Sequence, residues 1–158
     1  MALTNQPYLP LYVQDWLSNN KLKMCSVGAH GLMINIMCVL HKEKTYGRIL
    51  LNQKFKQSTK QIKNFASMFA KLLPFSESDI ETYLEELINE KVLEIDDFSL
   101  WCDRMESDAT LSLTRSFVGK KGGDKTAKLL KNFAQAKVQA NTENEYEYEN
   151  DIESDLIL

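Results

Sequence analysis

The feature that most constrains the fold is a segment from Ser26 to about Lys42 that is apolar almost all the way round a helix. Its apolar residues are Leu32, Met33, Ile34, Ile36, Met37, Cys38, Val39 and Leu40. A helix that is apolar on nearly all sides must be covered by other elements. With 158 residues, 44% of them hydrophobic, the chain has material for one core of ordinary size. We therefore expect one small domain built around this helix.

The N-terminal part, residues 1–25, lacks any apolar period. Pro7 and Pro10 lie in the run Pro-Tyr-Leu-Pro-Leu-Tyr, and proline lacks the amide hydrogen that helices and central strands use. This composition indicates an extended arm, followed by a short helix near Val13 to Ser18. We expect Trp16 on that helix to pack on the core.

Three further segments follow the central helix. Residues 47–51 predict a short strand. Ser58 suits the N-cap of a second helix, which ends before Pro74. A third helix, starting at residue 76 or 78 and ending near Glu90, carries acidic residues in its first turn, where the helix dipole favours them.

Two apolar runs, residues 92–95 and 98–102, are separated by Asp96 and Asp97, which predicts a β-hairpin. The predicted order is then helix, strand, helix, helix, strand, strand. In the winged helix-turn-helix fold, three helices in this order form the core and a small sheet covers one side. The sequence therefore predicts a mainly α-helical domain with a small β-sheet, a winged helix over residues 26–102.

Beyond this domain, residues 103–140 predict a basic helical extension. Three of the five residues from Gly119 to Gly123 are glycine, which predicts a hinge, with a second extension helix over residues 125–139. Residues 141–158 are acidic and of low complexity, which is typical of a disordered tail. That tail ends in the apolar residues Leu156, Ile157 and Leu158, a candidate docking motif for a protein partner.

The net charge of −3 conceals strong segregation along the chain. Residues 42–71 carry eight Lys or Arg and one Glu, whereas residues 72–114 carry two basic and twelve acidic residues. Residues 115–142 carry seven basic residues and one Asp, and residues 143–158 carry seven acids and no base. Local fields decide which partners approach a protein, so the basic blocks indicate polyanions as partners.

Two groups of basic residues are candidates for nucleic-acid binding. The first, at the entry and first turns of the second helix, consists of Lys54, Lys56, Lys60 and Lys63. The second, in the extension, consists of Arg115, Lys120, Lys121, Lys125, Lys128 and Lys131. Helix-start amides and lysines can hold phosphates together, and glycines allow close backbone approach. The alternatives are a solvated polar face for the first group and a plain flexible linker for the second.

No pattern indicates catalysis, and we expect neither an enzyme nor a cofactor. The glycines at 119–123 lack the spacing of a phosphate-binding loop. Cys25, Cys38 and Cys102 are scattered and form no CxxC pair, so we expect reduced, buried thiols. Cys38 and His41 share a helix face, but two ligands do not make a metal site.

No apolar run approaches the roughly 18 residues that a membrane span needs. The first residues also lack the basic-then-apolar pattern of a signal peptide. We therefore expect a cytoplasmic protein without membrane contact.

Two motifs resemble phage and prophage replication-module proteins of the replisome-organiser type. The first is Pro-Leu-Tyr-x-x-Asp-Trp-Leu at Pro10–Leu17, and the second comprises Arg104-Met105-x-x-Asp108, Arg115 and Gly119–Gly123. The motifs bracket the predicted domain, so the resemblance covers about residues 7–140. It implies binding of origin or duplex DNA by a winged helix during replication initiation, with later residues recruiting a helicase or helicase loader. Single-stranded DNA also stays open as a partner.

The third helix departs from what such a role requires. In a winged helix it normally enters the major groove, yet its outward positions include Glu81, Glu85 and Glu86. Carboxylates repel phosphates, so recognition through this helix is disfavoured. The alternatives are a protein-interaction adaptor that uses the acidic helix as its binding face, or a transcriptional regulator. Association with a second copy also stays open, as does masking of the basic extension by the acidic tail.

Overall fold

The structure, a computed structural model, describes Leu3 and residues 6–155, with side chains described as far as residue 132 and at Ala134. It divides into two units, Met1–Thr114 and Arg115–Leu158. Leu156, Ile157 and Leu158, the predicted docking motif, lie outside the described residues.

Among the described residues of the first unit, five α-helices precede the last helix, and they have the bounds α1 Val13–Ser18, α2 Asn20–Lys23, α3 Val27–His41, α4 Gln61–Leu72 and α5 Glu77–Asn89. The predicted short helix after the N-terminal arm is α1, and Trp16 packs against the core as expected. The predicted central helix is α3. Its buried residues include Leu32, Ile36 and Leu40, while Cys38 on the same helix is exposed.

The sheet has three short antiparallel strands, β1 Arg48–Leu50, β2 Glu94–Ile95 and β3 Ser99–Trp101, in the order β1-β3-β2. The predicted hairpin is β2 and β3, in which Ile95 pairs with Leu100. The Asp96 carboxylate accepts hydrogen bonds from the backbone amides of Phe98 (2.8 Å) and Ser99 (2.6 Å). These bonds close the turn without a glycine and lower the pKa of Asp96.

Helix α5 packs against both α3 and α4, and the three helices share one core with the sheet. The fully buried side chains include Phe65 and Phe69 of α4 and Leu84 of α5. Gly28 of α3 lets the Tyr83 ring of α5 lie close to the α3 backbone, because a Cβ at residue 28 would lie 2.2 Å from that ring. The first unit is therefore mainly helical with a small antiparallel sheet, as the sequence predicted.

Within the first unit, Arg104 contacts residues of the N-terminal arm and of α1. The Arg104 guanidinium forms ion pairs with Asp15 and, at 3.9 Å, with Asp108. It also lies 5.2 Å from the centre of the Tyr12 ring. Arg104 thus fastens the N-terminal arm and α1 to the residues that follow β3.

The last helix, α6, spans Asp103–Asp155 without a break. Gly119, Gly122 and Gly123 are all helical, so the predicted interruption of the helix is absent, and their action as a hinge stays a prediction. Among the glycines, positive φ occurs at Gly47. Glycine weakens a helix by roughly 1 kcal/mol relative to alanine but does not forbid one. Residues 141–155, predicted to be disordered, also have a helical backbone, to which the good helix propensity of glutamate contributes.

Candidate nucleic-acid interface

A basic surface of the first unit surrounds an open groove of about 470 Å³. Four elements form it: the turn after α3, β1, the 3₁₀ turn Gln53–Phe55, and the C-terminal end of α4. We call this the basic groove, and its lining residues are Glu43, Lys44, Thr45, Arg48, Ile49, Leu50, Asn52, Lys54, Phe55, Met68, Lys71 and Leu72. Basic side chains surround the groove, and part of its lining is apolar.

The free cations of the basic groove are Lys44, Lys54 and Lys71. All three are exposed, and none of them forms an ion pair within the part of the chain that the structure describes. Arg48 is different, because its Nε donates to Glu106 Oε1 at 2.7 Å and its Nη1 donates to Ser99 Oγ at 2.8 Å. Three lysines therefore remain available to an anion, while Arg48 holds β1 to the start of α6.

Lysines also follow one face of α4. Lys63, Ser67 and Lys71 are four residues apart and so lie in line along the helix, with Lys60 just before its first turn. At 1.5 Å per residue, Lys63 and Lys71 are about 12 Å apart. We call Lys60, Lys63 and Lys71 the lysine row. Helix α4 itself contains no acidic residue, and the row meets the basic groove at Lys71.

A buried side chain, Asn64, holds the loop that precedes α4. Its Oδ1 accepts from the backbone amides of Ser58 (2.9 Å) and Gln57 (3.3 Å), and its Nδ2 donates to the Ser58 carbonyl at 2.8 Å. Ser58 was predicted to be the helix N-cap, and this prediction is wrong. The N-cap is Lys60, whose amide donates to Ser58 Oγ at 3.1 Å, because Asn64 draws residues 57–58 back over the helix.

The same loop lies against the tip of the β-hairpin. Lys56 Nζ is 5.2 Å from the centre of the Phe98 ring, and Gln61 Nε2 donates to Asp97 Oδ1 at 3.1 Å. Phe98 is 59% exposed. An aromatic ring and a lysine thus protrude together beside the lysine row of α4.

Helix α5 has the opposite character, with five acidic and no basic residues. The Glu86 carboxylate accepts hydrogen bonds from the backbone amide (2.7 Å) and the hydroxyl (2.9 Å) of Ser26 at the start of α3, so Glu86 already has partners within the domain. Glu77 accepts a hydrogen bond from Ser67, which lies between Lys63 and Lys71 on α4. The Glu77 carboxylate therefore lies beside the lysine row. Glu85 is exposed. The acidic face predicted for this helix is therefore present in part, with Glu86 serving the packing of α3.

The extension residues lie on α6 in the second unit, and all of them are exposed. At 3.6 residues per turn, Lys120, Lys121, Lys125, Lys128 and Lys131 fall within an arc of about 140°. We call this arc the lysine band. Arg115 and the three glycines lie on the other side of the helix. The structure thus groups five of the six predicted extension residues and separates Arg115 from them.

Three titratable side chains of the first unit, Cys102, Tyr46 and His41, are buried. Burial raises the pKa of the Cys102 thiol, and mainly burial raises the pKa of Tyr46 to about 12. Both groups are therefore protonated at neutral pH and poor nucleophiles. His41 is buried between the Tyr46 hydroxyl and the Gln6 carbonyl, each 2.9 Å from a ring nitrogen. Within the described chain, no group of three or more His, Cys, Asp or Glu residues is placed to hold a metal.

In comparisons with known proteins, no family model, curated protein or solved structure matches the chain. None of the helices that the structure describes combines the length and apolarity needed to cross a membrane.

The sequence did not single out Lys44 and Lys71 as candidate binding residues. They lie 27 positions apart, and only the packing of α4 beside β1 brings them to one groove. The available signal was the charge of residues 42–71 as a block.

Proposed function

We propose that residues 26–102 form a winged-helix domain that binds DNA through the basic groove and the lysine row of α4. Two features support the fold assignment: the element order of α3, β1, α4, α5 and the β2–β3 hairpin, and the strand order β1-β3-β2. In a winged helix the hairpin is the wing, which here carries Phe98 and is joined to the loop bearing Lys56.

The observation that carries the proposal is the division of charge between two adjacent helices. Helix α4 and the basic groove present free lysines, while α5, the usual reading helix, carries five acids and no base. Duplex DNA has one negative charge per about 1.7 Å of its axis, so it favours the first surface and is repelled by the second. We therefore assign the contact to α4, the basic groove and the hairpin tip.

This surface suits contacts to the DNA backbone more than to base edges. Lysines act as point charges on phosphates, and such contacts position a protein without reading sequence. Exposed Leu50 (68%) and Leu72 (55%) beside the lysines offer apolar contact to sugars. The proposed binding is accordingly strong at low salt and weakly selective among sequences.

The resemblance to phage replication-module proteins supports a role in replication initiation. In this proposal the winged helix and the lysine band bind DNA, while Leu156, Ile157 and Leu158 recruit a helicase or helicase loader in the cytoplasm. The protein acts by binding, and it needs no cofactor for that role.

The test is the salt dependence of duplex binding by a groove variant, K44Q/K54Q/K71Q. Each neutralised phosphate contributes about 0.9 to the log–log slope, so the loss of three contacts lowers the slope by about 2.7. The matched control, K21Q/K23Q/K91Q, removes the same charge at residues that do not line the groove. The proposal requires the slope to fall in the groove variant and to stay closer to wild type in the control. Equal slopes in the two variants would refute it.

An adaptor that binds a basic protein through α5 is the second candidate, supported by the acids exposed on that helix, such as Glu85. Such a protein would show no salt-dependent binding to duplex DNA, so the same titration separates the two functions.

A further inference from the structure

One face of α3 is apolar and uncovered. The helix carries no Lys, Arg, Asp or Glu from Val27 to His41. On its outer side, within the part of the chain that the structure describes, Val27 is 90% exposed, Gly31 and Cys38 are exposed, and Ile34 is half-buried. At 3.6 residues per turn, Val27, Gly31, Ile34 and Cys38 fall within an arc of about 60°, and we call them the α3 stripe. A helix that is apolar on all sides is normally buried, so this stripe is a face that a partner would cover.

An open groove of about 250 Å³ lies between α3 and α5, beside the α3 stripe. Its lining includes Leu32 and Phe75, and Gly31 belongs to both the groove and the stripe. Glycine inside a helix is destabilising relative to alanine. Gly28 has a packing reason in the Tyr83 ring, whereas a Cβ at residue 31 would meet nothing within 4 Å. Gly31 therefore leaves room for a side chain from outside the first unit.

The charges beside this groove are acidic. Among the described residues that line it, Asp79 is the charged one, and it is exposed and forms no ion pair with them. Glu86 lies about two turns further along the same side of α5, where it accepts from the Ser26 amide at 2.7 Å. Burial, and then the charges of Glu86 and Glu90, raise the pKa of the Cys25 thiol, so Glu90 also acts at that end of the groove. We call Asp79, Glu86 and Glu90 the acidic rim.

We propose that the α3 stripe and this groove dock a basic amphipathic helix of a partner protein. Helices that bind in grooves use apolar anchors at positions i, i+3 or i+4, and i+7, and the α3 stripe has the same period, with steps of four, three and four residues. The apolar side chains of the partner cover the stripe, and one of them enters the space over Gly31. Its Lys or Arg side chains lie along the acidic rim.

Charge favours this occupant over two others. The acidic rim repels nucleic acid. A second copy docked through the same face would oppose the rim with identical acids, and like charges opposed across an interface are unfavourable. The inference does not rest on the proposed DNA binding, because no residue lines both this groove and the basic groove.

The experiment titrates a synthetic peptide into the ¹⁵N-labelled full chain. The basic peptide has leucine at i, i+3, i+4 and i+7, lysine elsewhere, and a length of about five helical turns. One control peptide carries glutamate in place of lysine, and another has the basic sequence scrambled. We expect the basic peptide to shift the amides of the α3 stripe and of the facing side of α5. It should bind at least about tenfold more tightly than either control, since burial of one leucine corresponds to about that factor.

Gly31→Lys is the most informative variant, because its Cβ enters open space while its charge lies in the groove. It should weaken binding of the basic peptide more than about tenfold, because like charges then oppose each other. The matched control, Ser107→Lys, adds the same charge at an exposed residue that does not line the groove, and it should bind as wild type does. The variant D79N/E90Q removes two acids of the rim and should weaken binding by about three- to tenfold.

Circular dichroism and the unfolding transition of the first unit show that the variants are folded. The proposal is overturned if the basic peptide does not bind, or if the shifts centre outside α3 and α5. Equal affinity of folded Gly31→Lys and Ser107→Lys for the basic peptide would also overturn it. A dimer of the free chain in sedimentation, with concentration-dependent shifts on the α3 stripe, would assign the face to a second copy instead.

Discussion

Replacing Asn64 by alanine should destabilise the first unit and release the basic loop before α4. Asn64 is 1% exposed, and its two shortest hydrogen bonds, 2.9 Å and 2.8 Å, join it to the amide and carbonyl of Ser58. A hydrogen bond of this kind contributes about 1 kcal/mol, and an unsatisfied buried group costs about 1–3 kcal/mol. Since Ser58 is half-buried and can regain water, we expect a loss of about 2–3 kcal/mol in the free energy of unfolding.

Chemical denaturation measures this loss directly, and a thermal transition should fall by about 10 °C for a unit of this size. Trypsin should also cut after Lys56 and Lys60 faster than in wild type, because the loop between them is no longer held. The control is Asn89→Ala on the exposed face of α5, expected within about 0.5 kcal/mol of wild type. An N64A protein with unchanged stability and unchanged cleavage would refute the role of Asn64.

Three further predictions follow from single contacts. Gly28→Ala should lower the free energy of unfolding by about 1–3 kcal/mol, because its Cβ meets the Tyr83 ring. Gly31→Ala places its Cβ in open space and should raise the free energy of unfolding by about 0.5–1 kcal/mol. The denaturant midpoints of the two variants measure both changes. Because the pKa of Asp96 is lowered below 3.8 by the hairpin amides, its contribution to stability is present above about pH 4 and lost as pH falls through the lowered value. The stability difference between wild type and Asp96→Ala should therefore shrink in acid, and a difference independent of pH would contradict this. Glu77→Gln removes the carboxylate held against the lysine row and should tighten duplex binding, measured by anisotropy; weaker binding would contradict the assigned surface.

Local sequence signals predicted most elements of the first unit. The short helix after the N-terminal arm, the buried helix α3, and the start of α5 at its N-cap Ser76 all follow from residues within a few positions of each other. The hairpin was predicted from Asp96 and Asp97 between apolar runs, and the Asp96 side chain does close the turn. Such signals act over one turn of chain, so they can be recognised without the tertiary fold.

The errors have tertiary or long-range causes. Ser58 has the chemistry of an N-cap, but the side chain of Asn64 satisfies its backbone, and that contact depends on the path of the loop. Three glycines were predicted to interrupt α6, yet none of them adopts the positive φ that would end it. Residues 44, 54 and 71 lie at one groove because tertiary packing brings them together. Counting charges along the chain does not reveal that arrangement.

Polyanions should contact the basic groove and α4 rather than α5. Amide chemical shifts of the ¹⁵N-labelled chain, followed during titration with a short duplex at low salt, locate the contact residue by residue. We expect the largest changes near Lys44, Lys54 and Lys71 and along α4, with α5 little affected. Changes centred on residues 77–89, or no changes in the first unit at saturating duplex, would contradict it.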